Sequence, residues 1–372
     1  MKKTASDVRK RRLTILRWGT VLLCLVVVAV CGFTTESLSL SQRGVVIGLG
    51  IDLAEEGYTV SAQMLQAGAG NSPDSPAMYE VVVGRGATLR EAMAAITKKS
   101  SLYPSYAHCK VLFVGEGLLN AALDPIMKEF MQSNDLGNVQ VVAVKGTAYS
   151  AVTAEVAILP TTSVYMERDN LLITKFGGRR LVSLKDYCQR MDGVSGNKFL
   201  PYAVPVAGEK PTGGDEASTD KQSPVLYDVL NTAAFDADGK VHIYGNEVTA
   251  SVGLVETKGG QFTARTEDGR FVTVQIVGAK RRRTYTPDTV HGRYSYEVKV
   301  LEQNLSAEEP SATEVEALVA RRMDEAMGAA FAECAADGVD IFSVSGHLYK
   351  RYGVVLPLSR CHWQRKVSVK CK

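Results

Sequence analysis

Residues 44–53 read GVVIGLGIDL. The run is apolar and short, the composition of a buried strand. Gly48-Leu49-Gly50 within it has the look of a phosphate-binding loop. A dinucleotide fingerprint, however, needs a third glycine and a helix opening directly after the strand. Here Asp52 and Leu53 lead into Glu55-Glu56-Gly57, and Tyr58 to Leu65 alternates as a returning strand. Two carboxylates stand where a phosphate would sit. The stretch is therefore read as the first half of a β-hairpin, with glycines softening the strand end. Asp52 is read as structural, ending the strand and accepting turn N–H groups.

Toward the C-terminus, residues 71–76 form a polar loop with two prolines, and Met78 to Val83 is a third strand. Gly84 and Gly86 precede Thr88 and Glu91, whose spacing is that of a capping box, so a helix begins there and runs to about Lys99. This helix start, with Arg85 beside it, is the better of the two glycine pairs for an anion, but the capping box already uses its free N–H groups. Lys110 to Val114 and Val139 to Lys145 read as strands, and Pro125 to Gln132 as a helix. Strands alternating with helices make an α/β or α+β unit.

Residues 206–224, VAGEKPTGGDEASTDKQSP, have the composition of a linker or long loop. Strands dominate beyond it: Val241 to Tyr244, Phe271 to Val277, the alternating Tyr294 to Val300, and a closing strand over 363–371. Ser311 and Glu314 form a second capping box. They open a long helix with Val315, Leu318, Val319, Met323, Met327, Phe331 and Cys334 on one stripe and Gly338 as its stop. Met327 and Phe331 are expected in the core.

Toward the N-terminus the charge changes abruptly. Lys2, Lys3, Arg9, Lys10, Arg11, Arg12 and Arg17 face a single Asp7, and Trp18 to Thr35 carries no charge. A basic flank before an apolar span reads as a membrane-directed segment with its positive end inside and the remainder exported. Cys31, after Val28-Ala29-Val30, is a candidate for lipidation. Cleavage with lipidation there, or retention of the span as a helix, both fit the flank. The fold class is thus α+β, multi-domain, with mixed sheets packed by helices and one N-terminal hydrophobic membrane segment. The divisions are residues 1–35 for the flank and anchor, 40–205 for an N-terminal α/β domain, and 206–224 for the linker. An α+β region over 225–372 follows, either undivided or split into a small middle module and a last domain from about 286.

Reaction chemistry is hard to find. The net charge of +3 is too mild for a nucleic-acid partner. Seven cysteines without a Cys-x-x-Cys make no disulfide framework. Five histidines lack metal spacing. Cys361-His362 would point to opposite faces of a strand. There is no P-loop, Gly-x-Ser-x-Gly or His-Glu-x-x-His. Arg281-Arg282-Arg283 is read as a solvated loop between strands, with anionic lipid headgroups as its alternative contact. That tract and the run Ser343 to His347 are the expected exposed surfaces. No catalytic, metal or cofactor-binding residue is assigned, and an enzyme is disfavoured.

Five stretches in this order resemble the Ger(x)C family, the C subunit of bacterial spore germinant receptors. They are VVIGLGIDLAEEGYTVSAQML, GRGATLREAMAAITKKSS, YAHCKVLFVGEGLL, AAFDADGKVHIYGNEVTASVGL and ECAADGVDIFSVSGHLYKRYG, spanning roughly residues 44 to 352. The family's usual lipobox and Cys-Trp-Asp start are replaced here by Cys31-Gly32-Phe33. The resemblance implies a non-enzymatic, anchored subunit without a cofactor, built of three α/β-type modules on the outer face of the spore inner membrane. It also implies two partners: a permease-like B subunit and an A subunit with its own membrane helices. The alternatives from other classes are an exported substrate-binding lipoprotein with an aromatic cleft, or a wall-active hydrolase with paired carboxylates or a metal.

Overall fold

The computed structural model describes residues 15–28, 42–65, 79–121, 123–132, 136, 138–154, 156, 159, 161–176, 181–191, 198–207, 225–256, 259–305 and 311–372. Cys31, the loop over 71–76 and most of the 206–224 stretch lie outside them.

Helix α1 covers residues 15–28. Its side chains are exposed, among them Leu16, Trp18, Leu22, Leu23 and Leu25. Residues 29–35 of the expected span lie outside the described residues. Among the described residues no helix is long and apolar enough to cross a membrane.

From Gly44 to Lys372 the chain is one compact unit. Its first half runs β1 (Arg43–Ala54), β2 (Gly57–Leu65), β3 (Tyr79–Gly86), α2 (Leu89–Ser100), β4 (Tyr103–Ser105), β5 (Val111–Gly115), α3 (Glu116–Leu119), α4 (Leu123–Gln132) and β6 (Gln140–Val144). It continues with α5 (Ala148–Thr153), α6 (Thr162–Phe176), β7 (Val182–Ser183), α7 (Leu184–Met191) and β8 (Phe199–Ala207). After the long connection come β9 (Val225–Phe235), β10 (Val241–Tyr244), α8 (Asn246–Glu256), β11 (Gly260–Arg265), β12 (Phe271–Tyr285) and β13 (Thr289–Gln303). The chain closes with α9 (Ala312–Ala336), α10 (Val344–Tyr352) and β14 (His362–Cys371).

Two sheets result. The first has the order β10-β9-β8-β6-β5-β1-β2-β3, with β4 beside β1 and β7 beside β6. Its centre, β8-β6-β5-β1, is parallel, and antiparallel hairpins flank it on both sides. Central parallel strands are buried on both faces, and β5 shows it: Leu112 and Val114 join the core that includes residues of α2, α4 and α7, while Val111 and Phe113 join one that includes residues of α5 and α6. The second sheet has the order β11-β12-β13-β14. The 206–224 stretch does not divide the sheets. β8 and β9, on either side of it, pair with each other, and the change of sheet comes between β10 and β11.

Both capping boxes form. Thr88 Oγ1 accepts from Glu91 N–H at 3.2 Å while the Glu91 carboxylate accepts from Ala87 and Thr88 N–H. Ser311 and Glu314 do the same for α9. Gly338, at φ 71°, ends α9, where the Val339 N–H reaches the Cys334 carbonyl. Of the expected stripe, Val315, Val319, Met323, Met327 and Cys334 are buried, but Phe331 is only half-buried, edge-on to Trp363 and Phe342.

Two surface expectations fail. Arg281-Arg282-Arg283 is no loop but part of β12, and alternation sends its members to opposite faces. Arg281 donates to the Leu254 and Glu256 carbonyls at the end of α8, Arg283 donates to the Phe342 carbonyl, and Arg282 alone is exposed. Val344, Ser345 and Gly346 are buried in the first turn of α10.

Candidate functional site

Parallel sheets place ligand sites beyond the carboxyl ends of their strands. In this chain those ends carry Asp52 on β1, Gly115 at the end of β5 with Glu116 after it, Gly146 to Tyr149 after β6, and Tyr202 on β8. This is the position that the GVVIGLGIDL run raises, and its chemistry is turned inward.

Gly48, Gly50 and Asp52 share the face under α5 and α6. A methyl group on Gly48 would meet Ser163 Oγ at 1.8 Å, and one on Gly50 would meet Ser61 Oγ at 2.6 Å and Val152 at 2.9 Å. The glycines let α5 and α6 approach the sheet, which is why a strand rather than a phosphate loop carries them. Behind them Gln63 donates to the Val152 carbonyl at 3.0 Å and accepts from Ser163 Oγ at 2.8 Å.

Asp52 is buried and crosses to α5. Its Oδ1 accepts from Ala148 N–H at 2.6 Å and its Oδ2 from Tyr149 N–H at 2.9 Å. The residue is structural as read, but its partners are the N-terminus of a helix rather than its own turn. Burial raises its pKa against the lowering effect of those two bonds. A methyl on Gly115 would meet Asp52 Oδ1 at 2.0 Å, so glycine is required beside it. Glu116 is engaged as well. Its Oε2 accepts from Gly146 N–H at 3.1 Å and its Oε1 from the Tyr202 hydroxyl at 2.9 Å. Each strand-end carboxylate thus holds a backbone turn or helix start, Asp52 that of α5 and Glu116 the turn at Gly146.

The remaining sequence candidates stay apart. Gly84 and Gly86 press against α2, where a methyl would meet the Ala92 carbonyl at 2.0 Å and Glu91 Cβ at 2.5 Å. The helix start there is filled by its own Glu91. Cys361 is buried and His362 exposed, on opposite faces as expected. Among the described residues no group of His, Cys, Asp or Glu has a metal-holding arrangement.

Sequence reasoning missed two clusters. His242 lies 3.2 Å from Asp236 and 3.6 Å from Asp337, which also accepts from the Tyr244 hydroxyl at 2.9 Å. The alternation of His242 and Tyr244 is local, but Asp337 comes from the far end of α9. In the second cluster Asp340 is buried and accepts from Val344 N–H at 2.7 Å and Gly346 N–H at 3.0 Å, starting α10. Burial pushes its carboxyl up to about 7. A groove of about 610 Å³ runs between α8, β11 and α9, with Leu254, Phe262, Ala326 and Ala330 among its lining and Glu247 and Glu333 beside them. Its Arg322 is tied to the Arg265 carbonyl and to Glu325.

Together these features define an α+β scaffold whose strand-end carboxylates act as caps. Residues 36–203, the segment holding those strand ends, match the family described as the spore germination protein N-terminal domain. That match bears out the Ger(x)C resemblance read from the sequence. A solved structure described as the crystal structure of the GerBC protein aligns with a TM-score of 0.50. The alignment covers 87% of this chain and 96% of that one at 14% identity, a likeness of fold. No curated protein matches the chain.

Proposed function

We propose that this protein is a non-enzymatic C-type subunit of a spore germinant receptor, needed for spores to respond to small-molecule nutrients. The observation that carries this reading is the family match over 36–203, the same residues whose strand-end carboxylates serve as caps. A scaffold of this kind acts through its surface. Its partners are the membrane-embedded A and B subunits, and it needs no cofactor. The exposed apolar helix over 15–28 and the basic residues before it support an anchor at the spore inner membrane, with the two-sheet body on the outer face. Cys31 is the residue to which a lipid would be attached if the segment is cleaved.

An in-frame deletion in the spore-forming host tests it. Germination, followed as loss of optical density, should fail for at least one nutrient, and affinity capture from spore membranes should recover two membrane subunits. Normal germination to every nutrient with no membrane partner captured would overturn the reading. Hydrolysis of wall material by the purified protein would assign it to the wall-active class instead, and retention of a small solute by the purified protein alone would assign it to the substrate-binding class.

A further inference from the structure

Among the described residues, helix α9 packs one face of the second sheet and the other face is exposed along β12, β13 and β14. Val290, Tyr294, Tyr296 and Val298 turn inward and are buried on the side that α9 packs, with Met323 and Met327 in the same core. Alternation sends their neighbours outward. Lys280 and Arg282 of β12, Arg293 and Lys299 of β13, and Lys366 and Lys370 of β14 are all exposed. Register sets Arg282 directly opposite Arg293, and Arg293 beside Lys366. Opposed side chains start about 5 Å apart, and like charges in such pairs destabilise a sheet. Among the described residues no carboxylate pairs with any of these three. Glu297, lower on the same face, is taken by Lys372 at 2.5 Å.

The side chains between the cations are Thr284, His291, Ser295, Gln364 and Ser368, and none is large and apolar. Ser295 and Ser368 hydrogen bond across the strands at 2.9 Å. A shallow hollow of about 520 Å³ lies among Arg282, His291, Arg293, Gln364 and Lys366. Protein-binding faces usually centre on apolar or aromatic anchors; the large apolar residues exposed on these strands, Val277 and Leu301, stand away from Arg282, Arg293 and Lys366 rather than among them. A pocket for one small anion would converge its donors, whereas these lie spread over three strands. Many separate phosphates on a surface fit such a face.

We propose that this sheet face docks on the phosphate headgroups of an anionic bilayer. The proposal builds on the membrane-anchor reading, which brings the chain to a bilayer, and adds a second, electrostatic contact made by the folded body.

The test is lysine acetylation of the full chain read by mass spectrometry, with vesicles of phosphatidylcholine alone or of phosphatidylcholine with phosphatidylglycerol. Labelling of Lys280, Lys366 and Lys370 should slow several-fold only with phosphatidylglycerol and recover in high salt, while exposed Lys128 on α4 stays unchanged in both. Substituting Arg282→Gln and Arg293→Gln should raise the phosphatidylglycerol-vesicle concentration needed to half-protect Lys366 by roughly fivefold per charge. Circular dichroism should show the doubly substituted chain folded, since the change relieves repulsion. Equal labelling in both vesicles, or an undiminished effect in that variant, would overturn the proposal. Slowing by inorganic phosphate without lipid would do so too, by assigning the row to a soluble anion. Failure of the chain to float with neutral vesicles would count against the anchor alone, and the phosphatidylglycerol comparison would still decide the sheet face.

Discussion

Asp340 caps the start of α10, the helix that carries His347, and the two respond to acid in opposite senses. Burial, opposed by backbone hydrogen bonds and by Arg283, raises the aspartate from 3.8 to about 7. The native state therefore holds that proton more tightly than the unfolded chain, and the group's contribution to stability falls as pH rises from about 4 to 7. His347 is lowered from 6.5 to about 4, first by burial and then by Arg283 and Lys350. The unfolded chain binds its proton more readily, so its contribution falls as pH drops through the same window. Each masks the other in the wild type. His347→Gln should make the melting temperature rise on acidification from about pH 7 to 5, and Asp340→Asn should make it fall; identical slopes in all three proteins would refute the assignment. Asp52 is simpler. Asp52→Ala strips two N–H groups of their acceptor, one of them buried, and should cost about 1–3 kcal/mol in denaturant unfolding, with Asp52→Asn milder.

At the scale of elements, α9 is the member whose packing can be weighed. Met327 is fully buried on the sheet-facing stripe, and Met327→Ala should cost about 2–5 kcal/mol. Phe331 is half-buried against Trp363 and Phe342, so Phe331→Ala should cost less than the ~3–5 kcal/mol of a fully buried phenylalanine; denaturant midpoints of the two variants check both. The helix itself was legible in the sequence because its signals are local: Ser311 and Glu314 at one end, Gly338 at the other, a 3.6-residue stripe between. The same holds for α2 and for the hairpin after GVVIGLGIDL. Partnership between distant segments was not legible. Nothing in Val225 to Phe235 says that it continues a sheet begun at Arg43, because the pairing to β8 is set by tertiary contacts rather than by its own pattern. The Arg281 tract looked like a loop because charge outweighed alternation in the reading. In the fold, Arg281 finds the unpaired carbonyls at a helix end, which lie on α8. At the strand ends, the structural role of Asp52 was legible from its place in the hairpin, whereas its partner lies 96 residues away.

On the scale of the whole body, α8 sits between the two sheets. Thr249 bonds Thr232 on β9 at 3.0 Å, and Ser251 donates to the Ala326 carbonyl on α9 at 3.2 Å. The last carbonyls of α8 are held by Arg281 and Tyr296 of the second sheet. His242 and Tyr244 of the first sheet reach Asp337 at the end of α9. One contiguous apolar core includes residues of both sheets and of α8. A helix that two sheets both require cannot melt with one and remain with the other. Heat should therefore take the body apart in a single calorimetric peak whose van't Hoff and measured enthalpies agree. Arg281→Gln, which loosens α8 from the second sheet alone, should broaden or split that peak. Two resolved peaks in the unsubstituted protein would mean that the sheets melt independently. With a single peak, a force applied to one sheet is felt by the other, and the body behaves as one lever rather than two beads on a string.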